Sequence, residues 1–121
     1  MSWQSIRHPI HDDPNGTHYY MRAEEWPFAD QTSGMVRFWI DADLPPTLCP
    51  PIAMARYLLS ADRDTDALHV EQRIDYAIET VILARHDWSD NPKDFAALAS
   101  PEAATAIRAY IFRRPVSEPA T

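Results

Sequence analysis

The chain has 121 residues, of which 18 are acidic and 11 are basic, and its formal net charge is -7. This length predicts a single domain spanning residues 1–121, and the presence of one cysteine excludes an intramolecular disulfide framework. No apolar run is long enough to span a membrane, and the first residues lack the pattern of a signal peptide, so we expect a cytoplasmic protein without a membrane partner. The negative charge disfavours direct binding to nucleic acid and favours a basic protein partner, such as a nucleic-acid-binding protein.

The first part of the chain, residues 1–44, is predicted to be rich in strands. Residues 17–22 are dominated by side chains that favour strands, and Val36, Phe38 and Ile40 alternate with more polar residues in the next such stretch. We expect residues 17–22 and 35–41 to pair as an antiparallel hairpin. Residues 2–7 are the candidate for a third strand, because two strands alone are marginally stable.

A proline-rich segment divides the chain at residues 45–51. Four of its seven residues are proline, a density that neither a helix nor a central strand tolerates. The segment is therefore predicted to be a stiff, extended crossover. It contains Cys49, which no sequence feature pairs with a catalytic base, so we expect a buried and inert thiol.

The second part, residues 52–114, is predicted to be helical, followed by a frayed tail at 115–121. The predicted helices cover residues 52–60, residues 64–86, residues 91–99 and residues 101–113. In the longest, Val70, Ile74 and Ala77 follow helical spacing, and Ser100-Pro101 is typical of the start of the last helix. The sequence thus predicts an α+β fold in which a small hairpin or three-stranded sheet packs on a C-terminal bundle of about four helices.

An acidic ridge is the predicted partner-binding surface. Glu71, Asp75 and Glu79 repeat every four residues, which places them along one face of the predicted helix. The alternative is an ordinary solvated helix face. Phe112 is either covered by the tail or exposed as an anchor for a partner. The complete predicted set is Asp62, Asp64, Asp66, Glu71, Asp75, Glu79 and Phe112.

The stretch of residues 81–84 is apolar on every side of the predicted helix. Such a segment is either the centre of a helix bundle, covered by its neighbours, or the seam of a homodimer.

The N-terminal histidines are the only candidate metal ligands. His8, His11 and His18 lie close to Asp12 and Asp13, and imidazole and carboxylate groups are suitable ligands for zinc or iron. The alternative is a polar segment whose histidines titrate near neutral pH. We expect no cofactor.

No motif for nucleophilic catalysis or phosphate binding is present in the sequence. The leading hypothesis is therefore a small, acidic, non-catalytic protein that inhibits or assembles a basic partner, in the manner of inhibitors, immunity proteins and anti-defence proteins. The alternatives are a metal-dependent enzyme or sensor that uses the three histidines, and a structural subunit of a larger assembly.

Overall fold

The computed structural model describes residues 7–22, 27–29, 35–62, 64–65, 67–78 and 81–113, and these form one large antiparallel sheet with two helices. The elements in chain order are β1 (Arg7–Asp12), β2 (His18–Arg22), β3 (Phe28–Ala29), β4 (Met35–Asp43), β5 (Met54–Asp62), β6 (Leu68–Tyr76), β7 (Ile82–Asp87), β8 (Lys93–Asp94), α1 (Phe95–Leu98) and α2 (Pro101–Arg113). The sheet order is β1-β2-β4-β5-β6-β7, with the short strands β3 on β4 and β8 on β6.

The predicted α+β fold with a bundle of about four helices is wrong. Residues 52–60 and 64–86, both predicted to be helical, contain β5, β6 and β7 instead. Within the described residues, only α1 and α2 are α-helical.

The predicted antiparallel pairing of residues 17–22 with 35–41 is confirmed. β2 and β4 occupy the two predicted stretches and pair antiparallel, with Tyr20 opposite Asp41. The third strand is β1, which pairs with β2. It covers Arg7–Asp12 and shares only Arg7 with the predicted residues 2–7, of which residues 2–6 are outside the described part of the chain.

The hydrophobic core lies on one face of the central strands. Phe38 lies opposite Leu59 and Ile40 opposite Tyr57 across the β4–β5 pair, and all four side chains are buried. Each large apolar side chain removed from water in this way contributes roughly 1.5–3 kcal/mol. The buried side chains of the central strands therefore form one side of the core.

β5 was predicted as a helix because apolar residues occur on both of its faces. Ala55, Tyr57 and Leu59 are buried in the core, while Met54 and Leu58 lie between them on the half-buried opposite face. Apolar residues on both faces obscure the two-residue alternation that is typical of a strand with one exposed face.

β6 was predicted as part of a long helix because a β-bulge interrupts its alternation. Leu58 lies opposite Gln72 but Leu59 lies opposite Val70, so Glu71 is the inserted residue. Buried positions are consequently even-numbered before the bulge, as at Val70, and odd-numbered after it, as at Asp75. This change of phase brings the apolar residues into approximate helical spacing.

The proline-rich segment is a hairpin loop, and the predicted crossover is wrong. β4 and β5 are antiparallel neighbours, and the Leu44 amide donates a hydrogen bond to the Ala53 carbonyl across the base of the loop (2.9 Å). The prediction that the segment contains neither helix nor strand holds.

The two helices cover the core face of the sheet. α2 begins at Pro101 as predicted, and the Ala103 amide donates to the Ser100 hydroxyl oxygen (3.1 Å), which caps the helix. α1 is shorter than the predicted helix 91–99, because residues 93–94 pair with β6 as β8. Ile107 of α2 is fully buried, and α2 contacts β1.

Candidate functional site

The three predicted metal ligands are not brought together. His8 lies opposite Met21 in the β1–β2 pair, while the imidazole of His18 contacts the Asp12 carboxylate (2.8 Å). His11 contacts Asp13 instead (2.8 Å). Among the described residues, no group of three or more histidine, cysteine, aspartate or glutamate side chains is arranged to hold a metal ion. The metal-dependent alternative therefore remains a sequence prediction without a site.

His11, Asp13 and Ser100 form a hydrogen-bonded chain that superficially resembles a catalytic triad. The Ser100 hydroxyl donates to the Asp13 carboxylate (3.0 Å), which also contacts the His11 ring. In a triad the histidine contacts the serine and removes its proton, whereas here the carboxylate stands between them. These hydrogen bonds connect the β1–β2 turn to the start of α2, so the three residues have a structural role.

Two of the predicted acidic residues lie at the end of β5 and in the turn after it: Asp62 is the last residue of β5, and Asp64 is in the turn. A carboxylate oxygen of Asp62 accepts a hydrogen bond from the Asp64 amide (2.9 Å), and the Asp62 carbonyl accepts one from Arg108 (3.0 Å). These contacts stabilise the end of a strand and a turn, so the predicted start of a helix at residue 64 is wrong. Asp66 lies outside the described residues.

The remaining acids do not form a helical ridge. Glu71 is paired with Arg37 (3.1 Å), and Asp75, which is buried, is paired with Arg73 (2.6 Å). Glu79 lies outside the described residues. Carboxylates neutralised by arginines of the same chain are poor docking groups, because a partner would have to break those pairs.

Phe112 is partly buried and packs against the core. The Arg108 guanidinium lies 4.9 Å from the centre of its ring. Of the two alternatives for this residue, the structure therefore favours a covered side chain over an exposed anchor.

A cluster of exposed apolar side chains marks the hairpin between β6 and β7. We call Ile78, Val81, Ile82 and Leu83 the β7 patch, and their exposed fractions are 74%, 56%, 43% and 44%. The prediction of a central helix at residues 81–84 is wrong, because Ile82 and Leu83 lie in a strand that has only β6 as a neighbour among the described strands.

An apolar groove adjoins the β7 patch. It has a volume of 410 Å³ and lies between the proline-rich loop and the end of β6. Ile78 belongs to both the patch and the groove. The groove is lined by Leu44, Pro46, Pro50, Pro51, Ile52, Ala53, Ala77 and Ile78. Patch and groove together make a continuous apolar surface beside an edge strand.

A second, more polar cavity lies on the core face of the sheet; we call it the Tyr–Arg cavity. It has a volume of 180 Å³. Tyr57 of β5 lies directly opposite Arg73 of β6, and the Arg73 guanidinium is 5.4 Å from the centre of the Tyr57 ring. The cavity is lined by Asn15, Thr17, Tyr19, Ala42, Leu44, Leu48, Cys49, Tyr57, Arg73, Leu98 and Ala99.

The Tyr–Arg cavity is formed where small residues meet an aromatic cluster. Ala42 lies opposite Ala55, so β4 and β5 leave space at this point. Phe95 of α1 packs edge-on against Tyr19 and Tyr57, with ring centres 6.0 and 5.3 Å apart, and holds both phenols in place.

Arg73, the charged residue of the cavity lining, is linked through Asp75 to His86. The Arg73 Nε atom donates to Asp75 (2.6 Å), whose other oxygen lies 3.4 Å from the His86 ring. Burial lowers the pKa of Arg73, but Tyr57 and Asp75 outweigh that effect and leave the pKa raised. Burial also raises the pKa of Tyr57, so the phenol stays protonated and the guanidinium stays charged at neutral pH.

Sequence reasoning missed this cavity, and it predicted Cys49 wrongly. Cys49 is exposed at the cavity and not buried. The lining residues come from five separate parts of the chain, so no spacing motif connects them. The one available signal was Arg73 within a stretch that otherwise supplies core residues.

Comparison with known proteins adds no functional information. No family model, no curated protein and no solved structure matches the chain. Neither described helix has the length and apolar character needed to cross a membrane.

Proposed function

We propose that the chain is a small, non-catalytic binding protein that docks a basic partner protein through the β7 patch. The observation that supports the proposal is the exposure of four large apolar side chains in and next to the edge strand β7. This is the binding class expected from the sequence, now assigned to an apolar surface and no longer to the acidic ridge. We also propose that the protein is cytoplasmic, as expected from the sequence.

The β7 edge offers two kinds of contact to a partner. An edge strand presents backbone N–H and C=O groups that pair with an added extended segment. The neighbouring apolar side chains supply the desolvated contacts that dominate binding energy. Contiguous exposed apolar surface on a small protein is typical of an interaction site.

Charge favours a basic partner over a second copy of the chain. Each copy carries a formal charge of -7, so two copies repel one another, whereas a basic partner is attracted and oriented during approach. Charge thus attracts and orients the partner during its approach, and the apolar contacts of the β7 patch stabilise the complex.

The test compares two lysine substitutions that change charge equally. Leu83→Lys places a charge in the β7 patch, and Ala109→Lys places one at an exposed position of α2. The tagged proteins are cross-linked in cells that contain the natural partner, and bound proteins are quantified by mass spectrometry. We expect a basic protein to bind the unsubstituted chain and Ala109→Lys but not Leu83→Lys.

Two results would contradict the proposal. One is recovery of no basic protein whose binding depends on Leu83. The other is sedimentation of the purified chain as a dimer that Leu83→Lys converts to a monomer, which would make a second copy the occupant of the patch.

A further inference from the structure

The geometry points to the Tyr–Arg cavity as a binding site for a small carboxylate with a compact apolar body. This site lies on the core face of the sheet, and it does not rest on the docking proposed at the β7 patch.

The polar end of the cavity carries unused hydrogen-bond donors. Arg73 uses its Nε atom to contact Asp75, and its two terminal nitrogens have no partner among the described residues. The hydroxyl groups of Tyr19 and Tyr57 likewise make no hydrogen bond to the described part of the chain. The exposed fraction of each residue is only 4%. These side chains line the cavity, so a ligand with acceptor atoms placed there can pair with their free donors.

A carboxylate matches these donors better than the alternatives. A guanidinium group presents its N–H bonds as a fork that fits two carboxylate oxygens. A cationic ligand would be repelled by Arg73. Asp75, which already pairs with the guanidinium, repels a dianion such as phosphate more strongly than it repels a monoanion. A monoanion with two acceptor atoms is therefore the favoured class.

Apart from Asn15 and Thr17, the rest of the lining is mostly apolar and sets the size of the ligand. Leu44 and Leu48 of the hairpin loop lie on one side of the cavity, and Leu98 and Ala99 of the α1 region lie on another. An apolar cavity of about 150 Å³ is known to hold benzene, and the volume here is 180 Å³. The apolar body is thus the size of one six-membered ring, and benzoate is a suitable probe.

Two probes of the same shape test the charge requirement. Benzoate and benzamide differ in charge but not in size, and binding of each is followed by the rate at which a small alkylating reagent modifies Cys49, the only cysteine. We expect benzoate to protect Cys49 in a saturable way and benzamide to bind at least about tenfold more weakly, because a charged hydrogen-bond pair is lost. Equal binding of both probes, no protection by benzoate, or stronger protection by inorganic phosphate would overturn the inference.

Substitutions test which side chains hold the probe. Arg73→Gln combined with Asp75→Asn removes both charges of the ion pair without leaving a buried carboxylate unpaired, and we expect at least about tenfold weaker benzoate binding. Tyr57→Phe removes one donor and keeps the ring, so a smaller loss is expected. Arg85→Gln, at an exposed arginine of β7, is the matched control and leaves binding unchanged.

A third variant separates ligand binding from stability. Leu98→Trp enlarges a side chain that is 38% exposed, so it fills the cavity with little effect on the fold. We expect it to abolish protection by benzoate while thermal unfolding stays close to that of the unsubstituted chain. Unchanged benzoate binding in Leu98→Trp or in the double variant would show that the probe binds elsewhere and would overturn the inference.

Discussion

The two edges of the sheet have opposite chemistry. β1, at one edge, contains Arg7, Pro9 and Asp12, and α2 packs against it. β7, at the other edge, begins with Ile82 and Leu83, and five of its six residues are exposed. Each strand has a β-bulge, with Ile10 as the extra residue in β1 and Leu83 in β7.

β1 is therefore protected against pairing with another strand, whereas β7 is accessible to one. Proline, charged side chains and covering helices are the usual protection of an edge strand against unwanted pairing. β1 has all three, whereas the first half of β7 has only a bulge. An unprotected apolar edge is a liability unless it is used, and this is why the proposed function is placed there.

The largest expected effect comes from truncating a buried isoleucine of α2, the helix that packs against β1, and it is compared with truncation of an exposed isoleucine of β7. Ile107 of α2 is fully buried on the side of the sheet that α2 covers, and Ile82 of β7 is 43% exposed. Ile107→Ala should lower the free energy of unfolding by about 2–5 kcal/mol, because it removes buried methyl groups and leaves a cavity. Ile82→Ala should cost about 1 kcal/mol or less. Chemical denaturation of both variants measures the difference, and equal losses would show that the β7 edge is covered as well.

Bulges limited how much of this fold was predictable from the sequence. β4 alternates cleanly from Val36 to Ile40, and both this strand and the Ser100-Pro101 helix start were predicted correctly. In contrast, the bulge at Glu71 shifted the alternation of β6, and the second bulge at Leu83 did the same in β7. A bulge is defined by pairing with another strand, so one sequence read locally does not reveal it.

The candidate surfaces were predictable only in part. The apolar stretch 81–84 is unusual in the sequence, and the two interpretations of it are the centre of a helix bundle and the seam of a homodimer. Its exposure could not be derived, because it depends on β7 being the last of the described strands in the sheet order. The Tyr–Arg cavity was not predictable, because Tyr57 and Arg73 become neighbours only through the register of β5 and β6.

The second expected effect concerns the serine hydroxyls near the two edges. Ser100 caps α2 and donates to Asp13 in the β1–β2 turn, while Ser89 donates to Asp87 at the exposed end of β7. Ser100→Ala should lower the free energy of unfolding by about 0.5–2 kcal/mol. Ser89→Ala should stay within about 0.5 kcal/mol, because its partner is exposed. Thermal unfolding of both variants is the measurement, and a larger loss for Ser89→Ala would contradict the comparison.

The third effect is confined to alkaline pH and to the β1 side of the sheet. The Tyr20 hydroxyl donates to Asp43 (3.3 Å), and burial together with Asp41 and Asp43 raises the pKa of Tyr20 to about 12. Because the folded state holds this proton more tightly than the unfolded state, the resulting stabilisation is complete below the ordinary pKa of 10.0 and is lost as pH rises toward 12. We expect Tyr20→Phe to unfold less steeply with pH in that window, as followed by circular dichroism. An unchanged slope would show that Tyr20 does not contribute.

The smallest expected effect on stability is also the most informative about function. Leu83→Lys adds to β7 the kind of charge that natural edge strands carry. Since Leu83 is 44% exposed and is the extra residue of a bulge, the free energy of unfolding should change by no more than about 0.5 kcal/mol. A loss of several kcal/mol would show that Leu83 is needed for folding, and the loss of partner binding in this variant would then reflect unfolding. If stability is kept and binding is lost, the apolar residue is retained at the edge for the partner, because the fold itself does not require it.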